Sequence, residues 1–306
     1  MSKFLLVDGN NLTMRAMHGT RPLYDAMGNP TNCLFTSIRS LIRACADLKP
    51  HYVLWFWDKG RSEYRKQIYP EYKFKVISES EESKLFYADW KYQIQLLDEY
   101  LPLLGVHPVS IDGMEADDLI YMAAKMLRDY TTVILSSDQD FFQLVDRNCQ
   151  VYSLHRQMIY TKRDVQNEYG VSPSQWVEYR ALTGDASDNI AGVPGVGPVR
   201  AQEFVSRVVS VLDWLDSPKI EKPYDEKILE SKLVVLRNVQ LMDLSKIPMS
   251  LEAVTSVESQ ILRSVDAIPS KTRFWEVCLR HQMSTLLEHS HLWPAVFGAK
   301  NDTACQ

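Results

Sequence analysis

The stretch FLLVD at residues 4–8 decides the fold, because it is a short apolar run that ends in an aspartate. Two later stretches repeat the pattern: VLWFWD at residues 53–58 and VILSSDQD at residues 133–140. Apolar runs this short, rich in β-branched and aromatic residues, are typical of strands that are buried on both faces of a sheet. We therefore predict three strands of a parallel sheet.

Longer amphipathic stretches separate these runs. Apolar residues recur at helical spacing from about Asn32 to Leu48, and again from about Ser80 to Leu104. Short buried strands that alternate with helices are typical of the α/β class. We therefore predict an α/β fold with a central, mostly parallel sheet and flanking helices.

Acidic residues follow each predicted strand, and the carboxyl ends of parallel strands meet at one edge of a sheet. Two more acidic clusters are EADD at residues 115–118 and GDASDN at residues 184–189. Taken singly, the first fits acids at the positive end of a helix, and the second fits a polar turn. Taken together, they predict one pocket of nine carboxylates: Asp8, Asp58, Glu115, Asp117, Asp118, Asp138, Asp140, Asp185 and Asp188.

Carboxylates gathered in this number repel one another unless cations neutralise them. Mg²⁺ and Mn²⁺ prefer oxygen ligands, and these motifs contain no histidine, which argues against zinc. Nine acids are more than one ion needs. The pattern predicts two ions roughly 4 Å apart that clamp a phosphodiester for in-line attack by water.

Composition excludes several classes of protein. The five cysteines of the 306 residues are odd in number and never form a C-x-x-C pair, which argues against a disulfide framework or a zinc site. A charge appears too early for a signal peptide, and no apolar run approaches the roughly 20 residues that span a bilayer. We expect a cytoplasmic protein that acts without a membrane.

Positive charge is concentrated in one segment, although the net charge of the chain is −5. A net charge averages over surfaces that face different partners, so this value does not exclude nucleic acid. An ordinary solvated loop is the alternative interpretation of the segment. Its basic residues, at positions 59–75, are Lys59, Arg61, Arg65, Lys66, Lys73 and Lys75.

A glycine-rich hairpin, IAGVPGVGPVRA at residues 190–201, follows the last acidic cluster. Gly192, Gly195 and Gly197 permit tight turns and a close backbone approach to a phosphate, and the helix that follows presents free N–H groups. Arg200 adds a positive charge. The pattern indicates a helix–hairpin–helix that holds a duplex backbone without reading its sequence. A plain connection between two helices is the alternative.

Seven motifs occur in a recognisable order: VDGNN (7–11), DKG (58–60), PEYK (70–73), EADD (115–118), SDQD (137–140), GDASDN (184–189) and GVPGVG (192–197). Together they resemble the 5′-nuclease, or flap endonuclease, family, above all the stand-alone bacteriophage 5′-exonucleases and the nuclease domain of bacterial repair polymerases. The resemblance runs from residue 4 to about residue 244. It implies a PIN-like nuclease core over residues 1–180, with a helical arch at about 61–97, and a helix–hairpin–helix and C-terminal helical region over residues 181–306.

The resemblance also implies cofactors and contacts. One Mg²⁺ would lie among Asp8, Asp58, Glu115 and Asp117, and a second among Asp118, Asp138, Asp140, Asp185 and Asp188. Mn²⁺ would substitute, and a monovalent cation would lie at the hairpin. Arg15 and Lys73 would contact the scissile phosphate, Arg180 stands where relatives carry lysine, and Tyr72 would stack on a base. Where many relatives have an arginine shortly after the PEYK motif, this chain offers Lys75.

The expected activity is 5′-3′ exonuclease and flap endonuclease cleavage of DNA or RNA–DNA hybrids by a monomer, at 5′ flaps, nicks or gaps. Primer removal, replication and repair are the implied roles, in a bacterial cell or a phage-infected host, alongside a replicative polymerase or single-strand binding protein. A PIN-like RNase does not explain the hairpin, and an aspartyl phosphatase wants an aspartate where Asn10 stands. An inactive branched-DNA binding scaffold would have lost acids, and none is lost.

Overall fold

A central six-stranded sheet organises the computed structural model, which describes residues 2–74 and 80–288. The sheet order is β3-β2-β1-β4-β5-β6, and all neighbours are parallel except β5 and β6. From β1 the sheet is extended by β2 and β3 on one side and by β4, β5 and β6 on the other. The direction in which strands are added therefore reverses between β1 and β4. Ligands of open α/β sheets bind beyond the carboxyl ends of the strands at such a point. The strands are β1 (Lys3–Asp8), β2 (Tyr52–Phe56), β3 (His107–Val109), β4 (Thr131–Leu135), β5 (Cys149–Ser153) and β6 (Met158–Tyr160).

Helices cover both faces of this sheet and make up the region that follows it. A small two-stranded antiparallel ribbon, β7 (Gly184–Asp185) and β8 (Ile190–Ala191), lies between the two regions of the chain. The helices are α1 (Gly9–Gly19), α2 (Asn32–Leu48), α3 (Glu63–Ile68), α4 (Glu81–Tyr100), α5 (Ala116–Met126), α6 (Lys162–Tyr169), α7 (Trp176–Thr183), α8 (Pro198–Arg207), α9 (Val211–Asp216), α10 (Pro223–Glu230), α11 (Lys232–Met242), α12 (Leu251–Asp266), α13 (Lys271–Arg280) and α14 (Ser284–Glu288).

The strands are buried on both faces, as their continuous apolar runs predict. Leu6 and Leu54 join a core on the side of α5 and α12, whereas Leu5 and Trp55 join a core on the side of α2 and α13. Successive side chains of a strand point to opposite faces, so each run must be apolar throughout. This double burial fixes the sheet and, with it, the positions of the strand ends.

The three strands predicted from the sequence are confirmed, and α2 has the predicted bounds. The helix predicted from about Ser80 is α4, and the Ser80 side chain accepts a hydrogen bond from the N–H of Ser83 at its first turn. The sequence also offers Ser78 as a cap for this helix, but Ser78 lies outside the described residues. The other three strands of the six-stranded sheet, which the sequence did not predict, are either three residues long or, in β5, interrupted by polar residues.

The predicted division at residues 180/181 falls inside α7. Trp176 and Leu182 of this helix share one continuous core with Phe4 of the sheet and with Phe204 and Val235 of the later helices. A continuous core stabilises both regions together. The division into 1–180 and 181–306 stays a prediction. Within residues 2–74 and 80–288, no helix is long and apolar enough to cross a bilayer.

Candidate active site

Asp8 is the last residue of β1 and also caps α1. Its Oδ1 accepts a hydrogen bond from the N–H of Asn11 at 3.0 Å, and its Oδ2 accepts one from the Ser136 hydroxyl at 2.8 Å. Burial, followed by the negative charges of Asp58 and Asp117, raises the pKa of Asp8 to about 7. Asp8 therefore lies where further negative charge is close and water is scarce.

Two asparagines join the ends of three strands. Asn10 accepts a hydrogen bond from the N–H of Asp58, beyond β2, at 2.9 Å. Asn11 accepts bonds from the N–H and hydroxyl of Ser137, beyond β4, at 3.2 and 2.7 Å. Sequence reasoning did not assign these residues a role. The signal was available, because two amides directly after a strand-end Asp-Gly can bond the loops on both sides.

Asp138 and Asp140 lie in a short 3₁₀ turn (Gln139–Leu144) beyond β4, where the Asp138 side chain accepts the N–H of Asp140 at 2.8 Å. The pKa of each rises to about 7, mainly through burial, and then through the charge of Asp8 on Asp138 and of Asp138 on Asp140. Arg180 of α7 donates from Nε to Asp140 at 3.0 Å and also pairs with Asp185. One guanidinium thus joins acids from two separate segments.

Glu115 stands at the start of α5 and is fully occupied by hydrogen bonds. Its Oε1 accepts the N–H of Ser62 at 3.1 Å, and its Oε2 accepts Arg65 Nη1, Tyr72 Oη and Lys73 Nζ at 3.1, 2.8 and 2.9 Å. All four donors come from the segment 62–73. The sequence singled out the basic segment and Glu115 as separate features, and only the fold shows that they are in contact.

Asp118 lies beside Glu115 and Asp117 on the guanidinium of Arg65, and its expected place beside Asp138 in a second metal site stays a prediction. Arg65 Nη1 donates to its Oδ2 at 3.1 Å, and Arg65 Nη2 lies 2.8 Å from its Oδ1. Asp118 is the third residue of α5, and its side chain turns back toward the backbone N–H of Glu115 at the helix start. Both of its oxygens are therefore engaged by Arg65 in this conformation.

Lys73 has a left-handed backbone with φ of 50°, which is unusual for a residue that is not glycine. Its N–H donates to the carbonyl of Asp188 at 2.9 Å, and its Nζ lies 3.8 Å from an Asp188 carboxylate oxygen. Asp188 belongs to the turn between β7 and β8. Residues held in sparsely populated conformations cluster at functional sites, because the surrounding contacts must hold them there. Here the ribbon fixes Lys73 beside Glu115.

The acids are thus brought to the carboxyl edge of β1, β2 and β4, as the sequence predicts. Three cationic side chains, Arg65, Lys73 and Arg180, pair with them, so the nine carboxylates keep a surplus of negative charge. These acids offer only carboxylate oxygens to a ligand, and burial, followed by the charges of neighbouring acids, raises the pKa of Asp8, Asp138 and Asp140. This donor set fits hard divalent cations in chemistry and number. Over residues 2–74 and 80–288, however, no three acidic, histidine or cysteine side chains already have the spacing of a metal-binding cluster. A metal ion would therefore have to displace some of the arginine and lysine side chains that now pair with these acids.

Two residues predicted to contact nucleic acid are buried instead, which is a correction. Arg65 is 1% exposed, because its guanidinium is taken up by the acids of α5. Tyr72 is 2% exposed, and it packs with Ile190, Leu241 and Met242. Neither can stack on or pair with a nucleotide in this conformation. Lys59, Arg61 and Lys66 are on the surface or near it, and Lys75 lies outside the described residues.

Arg15 is exposed on α1 and lines a cleft of about 170 Å³ beside Asp138. Ser137, His155 and Arg156 line the same cleft. A cationic side chain at the margin of the acidic pocket can bind a phosphate without first breaking an ion pair with a carboxylate. The position of Arg15 is therefore compatible with the predicted phosphate contact.

Among the three glycines of the hairpin, Gly195 has the left-handed backbone that a tight turn of this kind requires. Gly195 has φ of 75°, which favours glycine, and Gly197 precedes α8 with Pro198 at the first helical position. Arg200 donates from Nη1 to the carbonyl of Gly195 at 2.5 Å. At Gly192 a Cβ would collide with the backbone of Thr183, so packing already requires glycine there, and the phosphate contact of Gly192 stays a prediction.

Comparison with known protein families shows which family the chain belongs to. The 5′-3′ exonuclease N-terminal resolvase-like domain matches residues 3–170, and the 5′-3′ exonuclease C-terminal SAM fold matches residues 171–263. The chain belongs to the 5′-3′ exonuclease family. A 5′-3′ exonuclease of Aquifex aeolicus is 31% identical over 213 residues, which cover 69% of this chain and 71% of that protein. Membership makes the chain a nuclease and confirms the family resemblance of its motifs.

Other members of the family are longer. The thermostable DNA polymerase I of Thermus aquaticus is 32% identical over 231 residues, which cover 74% of this chain but only 27% of the polymerase. Among solved structures, the T5 D15 protein co-crystallised with metal ions has a TM-score of 0.73 at 23% identity, covering 86% of this chain and 99% of that one. The catalytic core of Rad2 in complex with a DNA substrate has a TM-score of 0.51 at 14% identity, covering 88% and 90%. These structures confirm the fold.

Proposed function

We propose that the chain is a structure-specific 5′-nuclease that hydrolyses phosphodiesters of DNA or RNA–DNA hybrids at 5′ flaps, nicks or gaps. The observation that carries the proposal is the meeting of acids from five segments at one sheet edge, with Lys73 and Arg180 among them. The role would be in primer removal, replication and repair, in the cytoplasm of a bacterial cell or an infected host. Polymerase activity is not part of the proposal, because the chain spans about a quarter of the polymerase relatives.

Two divalent cations, Mg²⁺ or Mn²⁺, would be held by the acids. Asp8, Asp58, Glu115 and Asp117 would hold one, and Asp138, Asp140, Asp185 and Asp188 the other, with Asp118 joining only if Arg65 releases it. When bound, such ions polarise the phosphate and lower the pKa of an attacking water. Support comes from the all-oxygen donor set and from the T5 D15 relative, which was co-crystallised with metal ions.

The cationic side chains would act on the phosphate itself. Water attacks phosphorus, the bond from phosphorus to the 3′ oxygen breaks, and the leaving oxygen takes up a proton to give a 3′-hydroxyl and a 5′-phosphate. Negative charge develops on the non-bridging oxygens during this step, and a fixed ammonium group nearby stabilises it. Lys73 is suited to this role because two contacts hold it at the pocket. Its Nζ donates to Glu115, and its backbone N–H donates to the carbonyl of Asp188. Arg15 and Arg180 would assist from the margin.

The hairpin would hold the duplex portion of the substrate. Gly195, Gly197 and the start of α8 present backbone N–H groups near Arg200, which suits a phosphate. A monovalent cation at the hairpin belongs to this proposal. The segment at about 61–97 would guide the 5′ strand through Arg61 and Lys66, and Lys59 would contribute from just before it. A replicative polymerase or a single-strand binding protein would be the partner of a monomeric enzyme.

A cleavage map tests the proposal. Matched 5′-labelled flap, nicked duplex, RNA–DNA hybrid and single-stranded RNA substrates would be incubated with Mg²⁺, with Mn²⁺ and with EDTA. We expect cleavage near the flap junction that stops in EDTA. Cleavage that persists undiminished in EDTA would contradict the metal mechanism, and preferential cutting of single-stranded RNA would favour a PIN-like RNase. Binding of branched DNA without any cleavage would indicate an inactive scaffold.

A further inference from the structure

Arg65 is the one charged side chain of α3 that points into the protein, and it is 1% exposed. Its neighbour Lys66 pairs with Glu63 on the surface. Burying a charge is costly unless partners and hydrogen bonds compensate it. The buried guanidinium of Arg65 must therefore have partners that compensate its charge.

The guanidinium joins the acids of α5 to the end of α11. Its Nη atoms lie 3.1 Å from Glu115 Oε2, 2.8 Å from Asp118 Oδ1 and 3.5 Å from Asp117 Oδ2. Its Nε donates to the carbonyl of Leu241 at 3.0 Å, in the last turn of α11, where carbonyls lack partners within the helix. Only a planar group with donors on three nitrogens can make this set of contacts, so lysine cannot replace arginine.

The contacts of Arg65 extend to Lys73 through Glu115. Arg65, Tyr72 and Lys73 all donate to the same carboxylate oxygen, Glu115 Oε2. If Arg65 were removed, Glu115 Oε2 would keep Tyr72 and Lys73 as donors but would lose the guanidinium that ties it to Asp118 and to the end of α11. A shift of the Glu115 carboxylate would move the ammonium group of Lys73 with it, because Lys73 Nζ donates to the same oxygen.

Charge is the second contribution. A positive charge within hydrogen-bonding distance of three carboxylates makes the potential near Glu115 and Asp117 less negative, and a buried pair is screened little by water or salt. A cation that approaches this side of the pocket therefore meets acids that are already partly neutralised.

We infer that Arg65 is a positioning residue with two separable effects: its planar fork orients Glu115, and through it Lys73, while its charge limits the affinity of the Glu115–Asp117 side of the pocket for divalent cations. The inference rests on the proposed nuclease function. It replaces the expectation that Arg65 contacts nucleic acid.

The experiment compares Arg65→Gln with Arg65→Lys. In Arg65→Gln the charge is lost, so the dissociation constant for Mn²⁺, measured by calorimetry on the DNA-free protein, should fall at least about tenfold. In Arg65→Lys the charge is kept, so that constant should stay within about twofold of the wild type. In both variants kcat on a 5′ flap at saturating Mn²⁺ should fall at least about tenfold, because the fork is lost, with a smaller change in KM.

Arg207→Gln is the matched control. Arg207 also pairs with a buried acid, Asp225, at 2.6 Å, but it lies in α8, outside the acidic pocket. Its loss should lower the melting temperature while leaving the Mn²⁺ dissociation constant and kcat within about twofold of the wild type. If Arg65→Gln does not fold, Arg65→Met, which keeps most of the side-chain volume without its charge, replaces it in both measurements.

Some outcomes would overturn the inference. Unchanged or weaker Mn²⁺ binding in folded Arg65→Gln would remove the charge effect, and wild-type kcat in Arg65→Lys would remove the orienting effect. Because calorimetry on the DNA-free protein needs no substrate, it remains informative even if the wild-type protein fails to cut a flap. The failure of the proposed function is therefore distinguishable from the failure of this inference.

Discussion

The acidic pocket and the hairpin at residues 190–201 are built in opposite ways. The pocket collects side chains from six segments of the chain, most of them buried or partly buried and bonded to one another. The hairpin is one continuous segment whose conformation follows from its own glycines and proline, and its Arg200 is exposed. A change in the pocket should therefore act on the chemical step, whereas a change in the hairpin should act on binding.

The largest effect is expected from Asp138→Asn or Asp185→Asn. Each replaces a carboxylate of the pocket by a neutral amide of the same shape. We expect kcat on a flap to fall at least about a thousandfold, while the dissociation constant for DNA stays within a few-fold. Asp112→Asn is the control, because Asp112 is an exposed acid that pairs with Lys59 outside the pocket. Retained cleavage in both pocket variants would mean that the pocket is not the catalytic site.

Lys73→Ala should have the next largest effect. Alanine keeps the left-handed backbone as strained as lysine does, so the substitution mainly removes the ammonium group. We expect kcat to fall about a hundredfold, because a charge that stabilises the transition state is lost, with little change in KM. Lys84→Ala, which removes an exposed lysine of α4 paired with Glu81, should leave both constants unchanged. A rise in KM alone would instead make Lys73 a binding residue.

Gly195→Ala should weaken binding without slowing the chemical step. A Cβ at a φ of 75° is strained by roughly 1 kcal/mol, and the strain would distort the hairpin. We expect KM to rise about five- to tenfold and kcat to stay within about twofold. Gly28→Ala is the matched control, since Gly28 has φ of 80° and open space around it. A fall in kcat at constant KM would contradict the separation of the two regions.

The smallest effect is on the stability of the metal-free protein. The pKa values of Asp8, Asp138 and Asp140 rise from the ordinary 3.8 to about 7. Carboxyls with a raised pKa hold their protons more tightly in the folded state. Their contribution to stability is therefore complete below about pH 4 and is lost as the pH rises through 7.

We expect the melting temperature in EDTA to fall by several degrees between about pH 5 and pH 8. Saturating Mg²⁺ should cancel most of this fall, because bound cations replace the protons. Asp138→Asn should show a smaller fall than the wild type in EDTA. A melting temperature that rises over this range in EDTA would show that the acids are not crowded in the folded protein.

The sequence by itself determined the strands, the strand-end acids and the hairpin. Each of these depends on local chemistry: a continuous apolar run must be buried on both faces, parallel strands bring their ends together, and Gly195 permits a turn that other residues resist. The family motifs follow the same local rules, which is why the match covers both regions of the chain.

Only the tertiary structure decided which charges face inward. In the sequence Arg65 resembles its basic neighbours, but Leu241, 176 positions later, and the acids of α5 enclose it. The same packing paired Asp118 with Arg65 and buried Tyr72 against Glu115. The physical reason is that the free energy of a charged side chain depends on its distance from other charges and from water. Those distances are fixed by contacts between segments far apart in the chain.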